Sequence, residues 1–315
     1  MTQPRYQRVA TAGATLNVLT LGDPANPPLV IVHGIRDVAA SLLVIAEPLA
    51  DRYHVVLPEL RGHGDSDNSS TYTIWQFVYD LHRVIEALGL DRPVVVGHSL
   101  GGHISAHHAA LFPEEVRALV IVEGLGPPTR PQEVDPELRR ISQREQLLAM
   151  MRIPEHSRPL PSLEFAAERL NANNPALSRE RALWLADHGT AVAADGKRYW
   201  KFDQRVGQTW LSTDPELNRL RWQQLQCPTL IVTAGRAHTY WSAQMPIQGW
   251  DGRYADADLA QRLACFRNGE HVRIADAGHM VHFDAPAELL AAIERFLLRI
   301  EESARIDKPA PQPRA

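Results

Sequence analysis

Residues 94–103 read VVVGHSLGGH. An apolar, β-branched run leads into Gly97-His98-Ser99-Leu100-Gly101, and a helical pattern, LGGHISAHHAALF, follows at once. A Gly-x-Ser-x-Gly set between a buried strand and a helix is the context of a nucleophile elbow, whose sharp, strained turn projects the serine hydroxyl from the sheet edge. Glycine at 97 and 101 removes side chains that would collide around such a turn. Gly101, Ser105 and Ala109 let the helix lie close to the sheet. Ser99 is therefore the candidate nucleophile.

Outward from this stretch, the first 125 residues alternate strand and helix signals. RYQRVATA and ATLNVLTLG read as a hairpin broken at Gly13. PPLVIVHG, HVVLPEL, PVVVGHS and VRALVIVEG read as buried strands. DVAASLLVIAEPLADRY and TIWQFVYDLHRVIEALGL read as helices between them. Near-continuous apolar strands separated by amphipathic helices imply a mostly parallel sheet covered on both faces. From Gly126 to Gln226 the pattern turns helical. DPELRRISQREQLLAMMRI has Asp135 as N-cap and Pro136 at the first helical position, and SRERALWLADHG runs from Ser178 to Gly189. After Cys227 the α/β alternation returns with CPTLIVTAG and HVRIADAGH. A final helix, PAELLAAIERFLLRIEES, carries Leu289, Ile293, Phe296 and Ile300 on one face. The expected organisation is a core of residues 1–125 and 227–303, a helical lid insertion at 126–226, and a disordered tail at 304–315.

The composition narrows the partners. Across 315 residues, 44% are hydrophobic, enough for a sizeable core, and the net charge of −4 argues against a nucleic-acid surface. The MTQPRYQRVA start lacks an apolar signal region and no run is long enough to span a bilayer, so no transmembrane anchor is expected. Cys227 and Cys265 stand in no metal or redox spacing and read as reduced thiols of a cytoplasmic protein. No metal, nucleotide or other cofactor is implied, and the expected partner is a small-molecule substrate.

Two further stretches carry chemistry. VHGIRD (32–37) follows a strand; there Ile35, together with Leu100 after the nucleophile, is the candidate pair of backbone N–H donors for an oxyanion hole. His33 itself reads as structural. In DAGHMVHFDAPAEL (276–289), His279 stands after the last strand and before the final helix, where a general base is needed. His282 is its near competitor, taken as a supporting or surface residue.

HGIRD, PELRGHGDS, GHSLGG and DAGHMVHFDAPAEL, in that order, resemble the α/β-hydrolase fold family, over residues 5–125 and 227–303. Glu59 replaces the Asp usual in PELRGHGDS and reads as structural. The resemblance implies an acid after the strand LIVTAG, but that loop offers Arg236 and His238 and no carboxylate before Asp251. Some branches, haloalkane dehalogenases among them, put a Glu at the end of the preceding strand, which here is Glu123 in LVIVEGLGPP. Glu123 is the favoured acid and Asp251 its rival. A serine at the elbow excludes the carboxylate-nucleophile dehalogenases and epoxide hydrolases of this fold. It implies acyl transfer on an ester of an apolar small molecule, with thioesters and lactones next. Carbon–carbon bond hydrolysis and ligand binding without turnover are the alternatives. Met150, Met151, Leu160, Phe165, Leu170, Trp184, Leu185 and Trp200 are expected to build the lid's interior, a few of them facing Ser99.

Overall fold

The computed structural model describes residues 4–130, 135–150, 152–153, 157–245 and 247–306. Met151 and the tail from 307 onward lie outside these residues. A hairpin turned at Gly13 pairs β1 (Arg5–Thr11) with β2 (Ala14–Leu21). Then come β3 (Pro28–Val32), a 3-10 turn at Ala39–Leu42, α1 (Leu43–Leu49), β4 (His54–Pro58) and α2 (Ile74–Ala87). β5 (Val94–His98), α3 (Leu100–Leu111) and β6 (Ala118–Val122) complete the first half. The single helix expected over 37–53 is thus a 3-10 turn and a shorter α-helix. Thr73 and Gln76 close a capping box at the start of α2, worth about 1 kcal/mol.

The intervening segment holds α4 (Pro136–Met150), α5 (Leu163–Asn173), α6 (Arg179–Gly189), a short hairpin of β7 (Thr190–Val192) and β8 (Arg198–Trp200), a 3-10 stretch at Gln204–Ser212 and α7 (Pro215–Gln224). Asp135 and Ser178 cap α4 and α6 as the sequence suggests. α5 and α7 were not anticipated, although Ser162 and Asp214-Pro215 are N-terminal signals of the same kind. β9 (Thr229–Ala234), α8 (His238–Gln244), α9 (Asp256–Leu263), β10 (Gly269–Ile274), α10 (Val281–Asp284) and α11 (Pro286–Ile306) finish the chain. α11 runs three residues into the stretch expected to be tail.

Eight strands form one sheet in the order β1-β2-β4-β3-β5-β6-β9-β10, parallel from β4 to β10. Alternation along each strand divides its side chains between two cores. Val30, Val32 and Val95 pack with α2, α3 and Trp222 of α7, while Leu29, Ile31, Val94 and Val96 pack with α1 and α11. The intervening segment has a small core of its own, in which Leu160, Ala166, Ala182 and Leu185 meet between α5 and α6. Every chemistry-bearing residue singled out above, apart from Asp251, leaves the sheet at the carboxyl ends of its parallel strands, where open α/β sheets hold their ligands.

Candidate active site

Ser99 follows β5 with φ 52° and ψ −117°, a conformation costing about 1–3 kcal/mol for a non-glycine residue. Its N–H bonds the Val122 carbonyl at 2.9 Å, so the strained residue is held by the neighbouring strand. The glycines work by close approach. A Cβ on Gly97 would stand 2.3 Å from the Gly101 carbonyl oxygen, and one on Gly101 would stand 2.2 Å from that of Val32. Any side chain at either position pushes α3 off the sheet and opens the turn.

The Ser99 hydroxyl donates to His279 Nε2 at 3.0 Å, and His279 Nδ1–H donates to Glu123 Oε2 at 3.0 Å. The other Glu123 oxygen accepts the Ala234 N–H at 2.7 Å. Strand order explains the reach: β5, β6, β9 and β10 are consecutive neighbours, so Ser99, Glu123, Ala234 and His279 leave one edge side by side. Glu123 turns at φ 51° directly after β6, which aims its carboxylate along the edge. All three side chains are buried. Desolvation holds the His279 imidazole well below its ordinary value, so the ring is neutral at physiological pH with Nε2 free to take a proton. Burial pushes the Glu123 carboxyl up, against the Ala234 amide, which favours its ionised form.

Asp251 is elsewhere. Its side chain is 67% exposed and pairs with Arg253, which also contacts His238. The loop after β9 is occupied differently: Arg236 N–H bonds the Ala277 carbonyl at 2.8 Å, and its guanidinium donates to the Asp276 carbonyl. The segment from His238, read in the sequence as a continuing loop, is the helix α8. Tyr240 of that helix stacks on the His279 ring at 4.0 Å, and Trp241 meets it edge-on at 4.9 Å. These two aromatics were not picked out from the sequence, and TYW after a strand turn gave no periodic signal to find them.

Ile35 lines the cavity beside Ser99, and the loop carrying it is tightly held. His33 Nδ1–H donates to the Gly34 carbonyl and its Nε2 accepts the Leu60 N–H at 3.0 Å. His63 likewise donates to the Arg61 carbonyl and accepts the Arg36 N–H at 3.0 Å. Arg61 is buried in a bidentate pair with Asp80, 2.6 Å at each contact; removing either partner would strand a charge at a cost of about 3–5 kcal/mol. Leu100 is the first residue of α3, whose leading N–H groups have no acceptor within the helix. Glu59 accepts from Asn17 and from the Asp65 N–H, which ties down the loop between them.

His282 is not at the surface. It is buried edge-on against His98, 4.7 Å between centroids, and His98 Nε2–H donates to the His279 carbonyl at 2.9 Å. Asp37, His98 and His282 bring ligand atoms within 4.8 Å of one another beneath His279. The Asp37 oxygens already accept from the Val38 N–H and the Ser41 hydroxyl.

A cavity of about 1960 Å³ separates this edge from the 126–226 segment. Met150, Leu170, Leu185 and Trp200 line it from that segment, with Ser99 and His279 opposite. Phe165 and Trp184 are not among the lining residues. Phe165 points to solvent, and Trp184 stacks on His188 under the Arg181 guanidinium. Leu160 is buried in the segment's own core. Among the described residues no helix is long and apolar enough to cross a membrane.

Comparison with known proteins agrees with this architecture. A serine hydrolase-like protein of Danio rerio is 29% identical over 283 residues, 88% of this chain and 83% of that protein. An uncharacterised protein of Mycobacterium tuberculosis is 29% identical over 143 residues, so the chain matches only 41% of that relative's length and 45% of its own. The thioesterase domain from the curacin biosynthetic pathway superposes with a TM-score of 0.77 at 24% identity, over 93% of this chain and 99% of that one. Residues 27–286 match the family model described as the alpha/beta hydrolase fold, and the chain belongs to that family.

Proposed function

We propose that the protein is a serine hydrolase that cleaves a carboxylic ester of a small, largely apolar molecule through an acyl-enzyme. The observation that carries this reading is the continuous hydrogen-bonded chain from Ser99 through His279 to Glu123. In the proposed cycle Ser99 Oγ attacks the carbonyl carbon while His279 Nε2 takes its proton. Glu123 keeps the ring proton on Nδ1 and stabilises the imidazolium that forms. The oxyanion of the tetrahedral intermediate receives the N–H groups of Leu100 and Ile35. As the ester C–O bond breaks, His279 gives its proton to the departing alkoxide. Water, deprotonated by the same nitrogen, then releases the acid and restores Ser99.

In this reading residues 126–226 act as a lid, and Met150, Leu170, Leu185 and Trp200 form the acyl pocket. The neutral imidazole supports the same reading, because a base must be unprotonated before the reaction begins. Thioesters and lactones fit the same cycle. The experiment is labelling of the folded protein with a fluorophosphonate, followed by peptide mass spectrometry. One adduct, on the peptide containing Ser99, is expected, with ester turnover lost in step. Labelling of another serine, or of none, overturns the proposal.

A further inference from the structure

His82, His108 and Glu115 meet on the sheet face covered by α2 and α3, and the proposed acyl transfer uses none of them. His82 lies on α2, His108 in the last turn of α3 and Glu115 in the turn that follows. Both imidazoles converge on one carboxylate oxygen: His82 Nδ1 is 3.1 Å and His108 Nε2 3.4 Å from Glu115 Oε2. The three ligand atoms all lie within 4.8 Å of one another. Metal–ligand bonds of about 2.0–2.1 Å at tetrahedral angles set neighbouring donors roughly 3.3 Å apart. The two separations bracket that value.

A second observation is independent of these distances. His108 is fully buried, yet its Nδ1 has no hydrogen-bond partner among the described residues and its Nε2 meets Glu115 without hydrogen-bond geometry. Buried polar groups in folded proteins are almost always satisfied, and an exception points to a bound water or ion. Access from solvent exists, because His82 is 25% and Glu115 29% exposed. A groove of about 450 Å³ opens beside them, with Glu86, Asp91 and Glu114 outnumbering Arg92 in its walls, a field that favours cations.

We propose that His82, His108 and Glu115 form a binding site for a divalent transition ion of the zinc type, its fourth position open to solvent. Two imidazoles and one carboxylate suit zinc and its neighbours, whereas magnesium and calcium select all-oxygen sets. The ion ties α2 to the last turn of the helix that Ser99 caps, about 14 Å along its axis from the nucleophile. Its role is therefore to brace the fold rather than to take part in acyl transfer. The Asp37–His98–His282 cluster is a poorer candidate, since its carboxylate oxygens are already engaged.

The test uses the untagged full-length protein, stripped with a chelator and titrated with Zn²⁺ alone, read by calorimetry and by thermal unfolding. One Zn²⁺ per chain is expected to bind, and Tm to rise with zinc concentration as binding to the native state requires. Mg²⁺ at the same concentrations should do neither. His108→Ala would open a buried cavity, so the informative variants are His82→Ala and Glu115→Gln, both at partly exposed positions. Each should keep the wild-type circular dichroism and metal-free Tm, and weaken Zn²⁺ binding by about tenfold or more. Absence of Zn²⁺ binding by the wild type, or binding by both variants as tight as that of the wild type, overturns the proposal.

Discussion

Two segments that follow strands of the sheet carry the carboxylates considered for His279, and they hold them in opposite ways. The loop after β6 presents Glu123 buried, bonded to both the His279 ring and the Ala234 N–H. The segment that follows β9 carries Asp251, exposed and paired with Arg253. An acid that must stabilise an imidazolium does so far better where water is excluded, since a charge pair weakens as the effective dielectric constant rises. The last residue of β9, Ala234, still contributes through the amide that holds Glu123. The end of β9 thus supplies a backbone amide and no charge. Burial is therefore the variable that separates the two loops, and its cost extends beyond Glu123.

The largest expected effect is on the whole fold. Among the described residues eight histidines, including His33, His63, His98, His108 and His279, are buried and held below their ordinary value by desolvation. Neutral in the folded state, they charge freely once the chain unfolds. Their contribution to stability is therefore present above pH ~6.5 and is lost as pH falls below it toward their depressed folded values, about 3 for His33 and about 4 for His63. Glu123 and Asp37, pushed up to about 7 and about 6 by burial, work in the other direction, because the folded state takes up their protons first. The buried histidines outnumber these carboxyls together with Glu59 and Asp80, which burial also raises, so the unfolded chain holds several extra protons, each worth about 1.4 kcal/mol per pH unit. Against a net stability of about 5–15 kcal/mol, cooperative unfolding is expected within about two pH units below 6.5. Circular dichroism against pH checks this. A chain still native at pH 3.5 would mean that burial perturbs these groups far less than the geometry implies.

The next effect tests the two loops directly. Glu123→Gln should lower kcat by roughly 10²–10⁴ with KM little changed, the pattern of a lost transition-state interaction. Asp251→Asn should cost less than about tenfold on the same ester. Steady-state kinetics with a check of folding decides between them, and the reverse ranking would return the acid to the usual loop.

The smallest effect concerns the wall facing Ser99. Trp200→Ala should change the ratio of long- to short-chain ester turnover by roughly tenfold, as a change in a hydrophobic pocket does. Phe165→Ala, at an exposed position off the cavity, should leave the ratio unchanged. A panel of p-nitrophenyl esters of rising chain length reads both, and an equal response would move the pocket away from β8.

Local features determined a good deal here. The elbow at Ser99 is visible because its strand, its glycines and its helix are contiguous, and each constraint acts within a few residues. The same holds for the helix starts at Asp135 and Ser178, and for the apolar strands that are covered on both faces. His279, the proposed base, is visible because it stands between the last strand and the final helix. Whether Glu123 meets that base depends on β6 and β9 being neighbours, a pairing between segments about a hundred residues apart that no local pattern encodes. The side chains facing the cavity depend on tertiary packing too. Helical periodicity places Trp184 on a definite face of its helix, but which neighbour covers that face is decided only when the layers meet. The burial of His98, His108 and His282 follows the same rule. A histidine is equally at home in water or in a core, and only the structure determines which of the two it occupies.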